Sequence, residues 1–539
     1  MPESNEEAKI IPYCKTPVSV ERVVLYLLCG VCVLCLLLAV LITCLVCRCD
    51  KDHSPSCTFL KAAVAADSGK CSEIGRDILR KGGSAVDAAI AALLCTSIIN
   101  PQSAGIGGGV IFTVMDSSGK VKIINSRETV PRKVNSDLFK SCPIRTGRWI
   151  GVPGEIRGYE AAHRLYGKLP WADLFQPTIK LAREGFPIPY YQGQHIPRIN
   201  NTSIRELYLD KNGNLLKTGD TVKFEKLADT LETIANEGPD VFYNGTIAKN
   251  LISDIQDAGG KLTLEDLASY QANVTDAWNI SLGEYKLYFP PPPSGGAILS
   301  LILNIMKEPK TTDEKILFYH RYIEALKFAN GLKKYIRDPN FSSDKVKDSF
   351  ADSKRSLISS DKTHDPQYYG DTSHMDSIGT THVSVLAEDG SAVSVTSSIN
   401  DEFGSRVLSP STGIILNNQL TDFCNRTNSV SPGERPPSNM APSVLKSPSK
   451  TLVIGGSGSE MIPPAVALMN HLWFGKSLKE AIITPVVFVD CQSEIKLESK
   501  LEKGHKIAKF YNTVNAVEKA GSCISAWSDE RKKGKAAGY

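Results

Sequence analysis

Two hydroxyl residues stand near the ends of a predicted β-hairpin, where they could do nucleophilic chemistry together. The segment GTTHVSVLAEDGSAVSVTSSIN, residues 379–400, has two alternating runs joined by Asp-Gly, which favours a tight turn. A midpoint near residue 389 predicts that Ser398 lies opposite or diagonal to Thr380. Strand alternation places His382 and Ser384 on the same face as Thr380. Geometry alone favours a structural threonine and a hydrogen-bonded strand histidine over catalytic roles.

A second candidate nucleophile lies in a glycine-rich turn. The run TLVIGG (451–456) predicts a strand, followed by SGSE and an apolar helix. Such a strand, loop and helix unit presents backbone N–H groups to an anion. The loop lacks one glycine of the G-x-S-x-G nucleophile elbow, which leaves Ser457 as an alternative nucleophile. It also lacks the third glycine of a dinucleotide-binding loop.

The elements that must position these residues are buried helices and β-branched strands. Helices are predicted for AVDAAIAALLCTSII after the N-cap Ser84, for 295–306 and for 461–474, with an amphipathic surface helix over 320–338. Strands are predicted at 110–115, 120–126, 413–418 and 451–456, and the alternation indicates layered α and β structure. The polar run 342–377 predicts a surface connector in front of the hairpin.

Residues 23–47 form an uncharged apolar run, longer than the roughly 20 residues that a membrane-spanning helix needs. The run follows a polar segment, 1–22, and lacks a small-residue cleavage pattern, so an anchor is favoured over a cleaved signal peptide. Charges on its two sides are nearly balanced and do not decide its orientation. The N-x-S/T sequons all follow the run, which favours an extracellular or luminal large portion: Asn200, Asn201, Asn244, Asn273, Asn279, Asn340 and Asn425.

Composition and cysteine usage narrow the function classes further. Charged residues make up 22% of the chain and the net charge is only +4, which argues against a nucleic-acid partner. The basic cluster 531–535 is typical of a solvated tail. Cys57 and Cys71 lie close in sequence after the apolar run, and we expect them to form a disulfide in an oxidising compartment. No spacing beyond the apolar run is typical of a metal site, so neither a metal nor another cofactor is expected.

The hairpin signature resembles that of the gamma-glutamyltransferase family, and the similarity extends over the chain beyond the apolar run. Segments in family order include CSEIGRDILRKGGSAVDAAIAALLC, NPQSAGIGGGVIFTV, NSRETVP, WIGVPGEIRGY, PPPPSGGAILS, ILNNQLTDF and SDERKKGKAAGY. The resemblance implies an N-terminal nucleophile hydrolase with an αββα four-layer sandwich. It also implies a proenzyme that cuts itself between Gly379 and Thr380.

The resemblance implies the following organisation: a cytoplasmic tail 1–22, a signal-anchor helix 23–47, and an ectodomain whose large subunit is 48–379 and whose small, catalytic subunit is 380–539. The two subunits would form a heterodimer on a single-pass type II plasma-membrane protein. Its substrates would be glutathione, glutathione S-conjugates and the glutathione-bearing leukotriene. Water, an amino acid or a peptide would accept the γ-glutamyl group.

The family roles carry over to individual residues of this sequence. Thr380 would be the nucleophile, Ser398 would hold it, and backbone N–H groups of Gly458 and Ser459 would form an oxyanion hole. The donor's α-carboxylate and α-ammonium would be bound by Arg127, Asn400, Gln419, Asp422, Ser438 and Asn439.

The chain departs from the family pattern at several of these positions. Gln419 stands where vertebrate relatives usually carry glutamate, Asn439 replaces a second serine, and Ser459 replaces a glycine. The segment between Asp422 and Pro436 also looks shortened. These changes motivate an alternative hypothesis, a catalytically impaired member that acts as a cell-surface binding or scaffold protein.

Overall fold

Two antiparallel sheets organise the part of the chain that follows the apolar run. The computed structural model describes residues 33–35, 38, 57–134, 138–139, 142, 147–199, 203–307, 315–341, 350–370, 379–424, 429–458, 464–490, 493–498 and 513–539. The predicted tail 1–22 and nearly all of the predicted span 23–47 lie outside these residues. No helix within the described ranges is long and apolar enough to cross a membrane.

The strands are numbered β1–β17 in chain order. Their bounds are Ala63–Ala66, Gly109–Met115, Val121–Ser126, Phe186–Pro187, Thr221–Val222, Asn273–Asp276, Trp278–Leu282, Tyr285–Phe289, Gly379–Leu386, Ala392–Asn400, Ser443–Lys446, Lys450–Ser457, Val487–Val489, Ile495–Leu497, Thr513–Ala520, Cys523–Ser528 and Ala537–Gly538. The first sheet has the order β17-β1-β9-β10-β2-β3-β6, and the second has the order β16-β15-β12-β11-β8-β7. β4 pairs with β5 and β13 with β14.

The α-helices lie mainly between these strands in sequence. Their bounds are Gly69–Arg80, Ala85–Ile99, Glu155–Tyr166, Trp171–Glu184, Tyr190–His195, Ser203–Glu206, Glu225–Glu237, Asp240–Asn244, Thr246–Asp257, Leu264–Ala268, Gly296–Met306, Lys315–Leu332, Phe350–Arg355, Pro366–Tyr369, Pro464–Leu472 and Leu478–Ile483. Short 3-10 helices occupy Gly147–Trp149, Ile196–Arg198, Lys333–Tyr335, Gln419–Phe423 and Glu530–Lys532.

Three apolar clusters show that the layers follow the order helices, sheet, sheet, helices. One cluster packs Val383 and Val385 of β9 against helices that include Ala85–Ile99. A second packs Leu452 and Ile454 of β12 against helices that include Gly296–Met306. The third fills the space between the two sheets with small and branched side chains. This mixed α and β architecture is the one that the sequence predicted.

Several local predictions are confirmed. The helix Ala85–Ile99 is buried along its whole length, and Ser84 caps it through a capping box with Asp87. The helices Gly296–Met306 and Pro464–Leu472 and the strands β2, β3 and β12 also lie where the sequence predicts them.

The amphipathic helix at 320–338 is not on an outer surface. Most of the helix Lys315–Leu332 is buried, including Glu324 and Lys327. Glu324 accepts hydrogen bonds from Thr363, at 2.7 Å, and Tyr369, at 2.5 Å. The segment predicted as a surface connector therefore supplies hydroxyl groups that let charged side chains be buried.

The predicted strand at 413–418 and the predicted disulfide Cys57–Cys71 are wrong. Among the described residues, the only β-pairing of 413–418 is an isolated bridge from Ile415 to Leu408. The disulfides join Cys57 to Cys523, Cys71 to Cys95 and Cys142 to Cys424. Packing of the two helices that carry Cys71 and Cys95 brings these residues together. Disulfide formation requires this spatial proximity, whereas nearness in sequence is not sufficient.

Candidate active site

The hairpin of β9 and β10 has the predicted register. Thr380 lies directly opposite Ser398, and the two strands pair antiparallel from Leu386 to Gly379. Side chains of His382 and Ser384 point to the second sheet, where Ser384 Oγ donates to Asn515 O at 2.9 Å. Because alternation puts Thr380 on this same face, its hydroxyl lies between the sheets, and only 9% of the residue is exposed.

Ser398 contacts both groups that would react if the chain cut itself. The Thr380 hydroxyl donates to Ser398 Oγ at 3.1 Å, and the Ser398 hydroxyl donates to the carbonyl oxygen of Gly379 at 2.6 Å. The backbone N–H of Asn400 donates to Ser398 Oγ at 2.9 Å and fixes its position. A single serine therefore links the candidate nucleophile to the carbonyl of the preceding peptide bond.

Gly379 sits where a side chain cannot fit. A Cβ at this position would lie 2.2 Å from the backbone oxygen of Asp401 and 2.7 Å from that of Asn400. Both contacts are to backbone, which cannot rotate away. The glycine thus allows the chain before Thr380 to approach the end of β10.

His382 is a neutral structural residue. Its Nδ1 lies 2.8 Å from Thr396 Oγ1, and its Nε2 lies 3.0 Å from Ser384 Oγ. Burial lowers the pKa of His382 to about 3, so the ring is uncharged at neutral pH. This agrees with the prediction of a hydrogen-bonded strand histidine.

Lys532 is buried in the site, so the prediction of a solvated tail at 531–535 is wrong for this residue. Its Nζ donates to Asp67 Oδ2 at 2.9 Å, to the carbonyl oxygen of Thr380 at 2.6 Å and to Ser457 Oγ at 2.6 Å. These three acceptors match the three donors of a lysine ammonium. Lys532 therefore joins the nucleophile strand to the end of β12.

Asp67 completes this buried network. It also accepts hydrogen bonds from Thr381 Oγ1 at 2.9 Å and from Asn515 Nδ2 at 2.7 Å. Neither Asp67 nor Lys532 stands out by local composition. The only sequence signal for Lys532 is that its segment is among those that resemble the family.

The structure brings Arg127, Asp422 and Gln419 together in a second cluster. Arg127 Nη2 donates to Asp422 Oδ2 at 2.5 Å, and Gln419 Nε2 donates to the same oxygen at 2.7 Å. The Arg127 guanidinium also donates to the carbonyl oxygens of Pro436 and Pro437, at 2.8 and 3.0 Å. Arg127 is only 1% exposed, so this group is held in a fixed orientation.

Asn400 connects the two clusters. Its Nδ2 donates to Thr421 Oγ1 at 2.7 Å and to Asn418 O at 3.1 Å, on either side of Gln419. Two buried acceptors, Asn400 Oδ1 and Gln419 Oε1, have no hydrogen-bond partner among the described residues. Unpaired buried acceptors are costly, and a bound ammonium group would satisfy them.

The remaining predicted site residues are Ser438, Asn439, Gly458 and Ser459. Ser438 Oγ accepts from Met440 N at 3.0 Å, and Ser438 directly follows Pro437, a partner of Arg127. Asn439 lies next to it, and its backbone passes close to Gly295. Gly458 follows Ser457 with a φ of 150°, a conformation that favours glycine. Ser459 lies outside the described residues.

Four of the candidate glycosylation sites are exposed, namely Asn244, Asn273, Asn279 and Asn340. The other three, Asn200, Asn201 and Asn425, lie outside the described residues. Within the described ranges, no group of three or more His, Cys, Asp or Glu side chains is placed to hold a metal ion.

Two buried carboxyl groups, Glu128 next to Arg127 and Glu155, make folding stability depend on pH. Burial raises the pKa of Glu128 to about 8, although the Arg127 charge opposes the shift, and burial also raises the pKa of Glu155 to about 8. Because these pKa values are raised in the folded state, the folded protein keeps protons that the unfolded chain releases. The stability from these groups is fully present below about pH 4.5 and is lost as pH rises through about 8.

We therefore expect Glu128→Gln to flatten the fall in stability between pH 5 and pH 8. Glutamine keeps the shape of the side chain but has no proton to lose. Thermal unfolding midpoints of both proteins across this range measure the effect, with the exposed Glu388→Gln variant as control. Parallel curves for the wild type and Glu128→Gln would contradict the assignment.

Comparisons with known proteins identify relatives of this chain by sequence and by fold. The family model for gamma-glutamyltranspeptidase matches residues 71–539. Glutathione hydrolase 5 proenzyme from Rattus norvegicus is 45% identical, covering 90% of this chain and 95% of its own length. The cephalosporin acylase from Bacillus halodurans shares the fold, with a TM-score of 0.79 at 23% identity over 90% of this chain and 97% of its own.

A solved gamma-glutamyltranspeptidase is also similar. The Helicobacter pylori enzyme has a TM-score of 0.52 and 28% identity, covering 55% of this chain and 91% of its own. The match to the family model includes every site residue described above from Arg127 onward, whereas β1 and Asp67 precede the matched residues. The chain belongs to the gamma-glutamyltranspeptidase family.

Proposed function

We propose that this protein is a self-cleaving γ-glutamyl hydrolase and transferase that acts on glutathione through Thr380. The observation that carries the proposal is the position of Ser398, which hydrogen-bonds both the Thr380 hydroxyl and the Gly379 carbonyl. Family membership and the 45% identity to a glutathione hydrolase 5 proenzyme support the same activity. The subunits would be residues 1–379 and 380–539.

Self-cleavage would begin when Thr380 Oγ1 attacks the Gly379 carbonyl carbon. The C–N bond breaks, the hydroxyl proton passes to the departing nitrogen, and an ester joins Gly379 to the Thr380 side chain. Water then hydrolyses the ester, leaving a Gly379 carboxylate and a free α-amine on Thr380. During the attack the Ser398 hydroxyl would stabilise the negative charge that develops on the Gly379 oxygen.

The mature enzyme would use the same hydroxyl on a γ-glutamyl amide. The free α-amine of Thr380 can act as the local base, so no separate His-Asp pair is needed. Attack on the γ-carbonyl releases the amine product and leaves a γ-glutamyl ester on Thr380. Water, an amino acid or a dipeptide then takes the acyl group. Backbone N–H groups of Gly458 and Ser459 would serve as the oxyanion hole.

Donor binding would involve the charged and amide groups beside the nucleophile. Nη1 of Arg127 has no hydrogen-bond partner among the described residues. This nitrogen can therefore bind the donor's α-carboxylate. The unpaired oxygens of Asn400 and Gln419 can accept from the α-ammonium, next to Asp422. Ser438 and Asn439 would border the carboxylate. Glutathione S-conjugates and the glutathione-bearing leukotriene share this γ-glutamyl group.

The location that we propose is the plasma membrane, with one anchor at 23–47, the tail 1–22 in the cytoplasm and the catalytic part outside. The uncharged run 23–47 and the position of all sequons after it support this topology. Exposure of the four described sequon asparagines is compatible with glycosylation.

Expression of the full chain tests the proposed function on one gel and in one assay. We expect the reduced protein to run as two fragments and to release product from a γ-glutamyl anilide. A single uncut chain without this activity would overturn the proposal. That outcome would favour the binding or scaffold hypothesis, which the substitutions at Asn439 and Ser459 motivate.

Arg127→Lys should weaken donor binding more than it slows turnover. Lysine retains a positive charge beside Asp422 but loses the planar fork that pairs with a carboxylate. We expect KM for the γ-glutamyl donor to rise about 10- to 100-fold, the effect of one or two lost charge-assisted hydrogen bonds. Steady-state kinetics measures this change. The matched control is Arg132→Lys, at an arginine that pairs with Glu265, and an unchanged KM in Arg127→Lys would contradict the assignment.

A further inference from the structure

Two of the three described disulfides join residues on opposite sides of the Gly379–Thr380 bond. Cys57 pairs with Cys523 and Cys142 with Cys424, with Cα atoms 5.2 and 5.9 Å apart. These separations fall within the range that disulfides require. The third bond, Cys71 to Cys95, lies within the first 379 residues.

We propose that the two fragments of the mature protein are held together covalently by Cys57–Cys523 and Cys142–Cys424. The proposal rests on the proposed cleavage at Gly379, since in an uncut chain the same bonds would be internal. Each bond forms when two thiols lose two protons and two electrons to a disulfide-bearing oxidant, which becomes two thiols. Such oxidants are present in the compartments through which extracellular proteins pass.

The Cys57–Cys523 bond is placed to keep the catalytic fragment on the anchored fragment. Phe59 N donates to Ile524 O at 2.9 Å, and Ile524 N donates to Phe59 O at 2.9 Å, so the two cysteines flank a short antiparallel bridge. Cys57 follows the proposed anchor closely in sequence, whereas Cys523 begins β16 of the other fragment. The bond would therefore prevent loss of residues 380–539 from the membrane.

The Cys142–Cys424 bond supports the donor site. Cys424 directly follows the 3-10 helix Gln419–Phe423, whose Asp422 holds Arg127. Around the bond, Phe139 packs edge-on against Trp149 and Phe423, with ring centroids 5.8 and 5.6 Å apart. This apolar cluster and the disulfide fix the helix that carries Asp422 to the preceding fragment.

Gel electrophoresis of the deglycosylated protein, with free thiols blocked during lysis, tests the covalent linkage. Without reductant we expect one species close to the 58.6 kDa of the full chain, and with reductant two fragments. The double variants Cys57→Ser/Cys523→Ser and Cys142→Ser/Cys424→Ser should each stay linked by the other bond. The quadruple variant should separate without reductant.

The possible outcomes distinguish this proposal from the proposed function. Two fragments in the unreduced wild-type protein would overturn the disulfide proposal and leave the cleavage intact. One chain even after reduction would overturn the cleavage, and with it the covalent link between fragments. Peptide mapping of the unreduced protein identifies the cysteine pairs directly, and a different pairing would also overturn the proposal.

Kinetics of the double variants tests the role of Cys142–Cys424 in donor binding. We expect its loss to raise KM for the γ-glutamyl donor about tenfold, comparable to the loss of one charge-assisted hydrogen bond, with little change in kcat. Cys57→Ser/Cys523→Ser serves as the matched control and should keep the wild-type KM. Equal KM values in the two double variants would contradict a role of the Cys142–Cys424 bond in donor binding.

Discussion

Thr380→Ala should leave the expressed protein as one uncut chain that releases no product from a γ-glutamyl anilide. The variant lacks the only atom that the proposed mechanism uses both to attack Gly379 and to carry the γ-glutamyl group. We expect activity to fall by about 10⁴-fold or more, as it does when nucleophiles are removed from other hydrolases. Replacement of the hydroxyethyl side chain of threonine by the methyl group of alanine leaves the backbone pairing with Ser398 intact.

Two further variants separate a loss of chemistry from a loss of folding. Thr380→Ser retains a hydroxyl beside Ser398 and should still be cut. Ser457→Ala removes the alternative nucleophile, whose hydroxyl lies 2.6 Å from both Lys532 Nζ and Thr513 Oγ1. We expect this variant to be cut and active. Loss of activity in Ser457→Ala together with activity in Thr380→Ala would instead identify Ser457 as the nucleophile.

Lys532→Met should lower both the stability of the protein and the fraction that is cut. The substitution leaves the Asp67 carboxylate buried without its ionic partner, which typically costs about 3–5 kcal/mol. It also removes the donor to the Thr380 carbonyl and to Ser457, so that the nucleophile strand loses its link to the end of β12. Thermal unfolding and the ratio of cut to uncut chain measure the two effects.

A charge-neutral double variant identifies the cause of the destabilisation. Asp67→Asn/Lys532→Met removes both charges and should recover part of the unfolding temperature that Lys532→Met loses. It should not restore the cut fraction, because the donor to Thr380 is still missing. Lys533→Met, at the exposed neighbouring residue, is the matched control. Wild-type stability and cleavage in Lys532→Met would contradict the role assigned to this residue.

Local patterns predicted the part of the site that lies on regular strands. The Asp-Gly turn and strict alternation define the hairpin, so the pairing of Thr380 with Ser398 follows from sequence spacing. The helix Ala85–Ile99 was likewise predictable, because its residues are apolar on nearly every face and Ser84 supplies a cap. The cluster of Arg127, Gln419 and Asp422 came from family resemblance, since these residues are far apart in sequence.

Sequence patterns did not predict the surroundings of residues whose contacts come from distant parts of the chain. Lys532 looks like one of several surface charges, and only Asp67 and the Thr380 carbonyl make its burial favourable. The burial of the Glu324 carboxylate similarly depends on the hydrogen bond that Tyr369 donates to it. Cysteine pairing was mispredicted for the same reason, because Cys57 meets Cys523 through the bridge between Phe59 and Ile524.

N-terminal sequencing of the smaller fragment tests the central claim most directly. Cleavage between Gly379 and Thr380 predicts a fragment that begins Thr-Thr-His-Val, with Thr380 as its first residue. This result would establish the free α-amine that the mechanism needs. A fragment with any other first residue, or no fragment from active protein, would contradict the account.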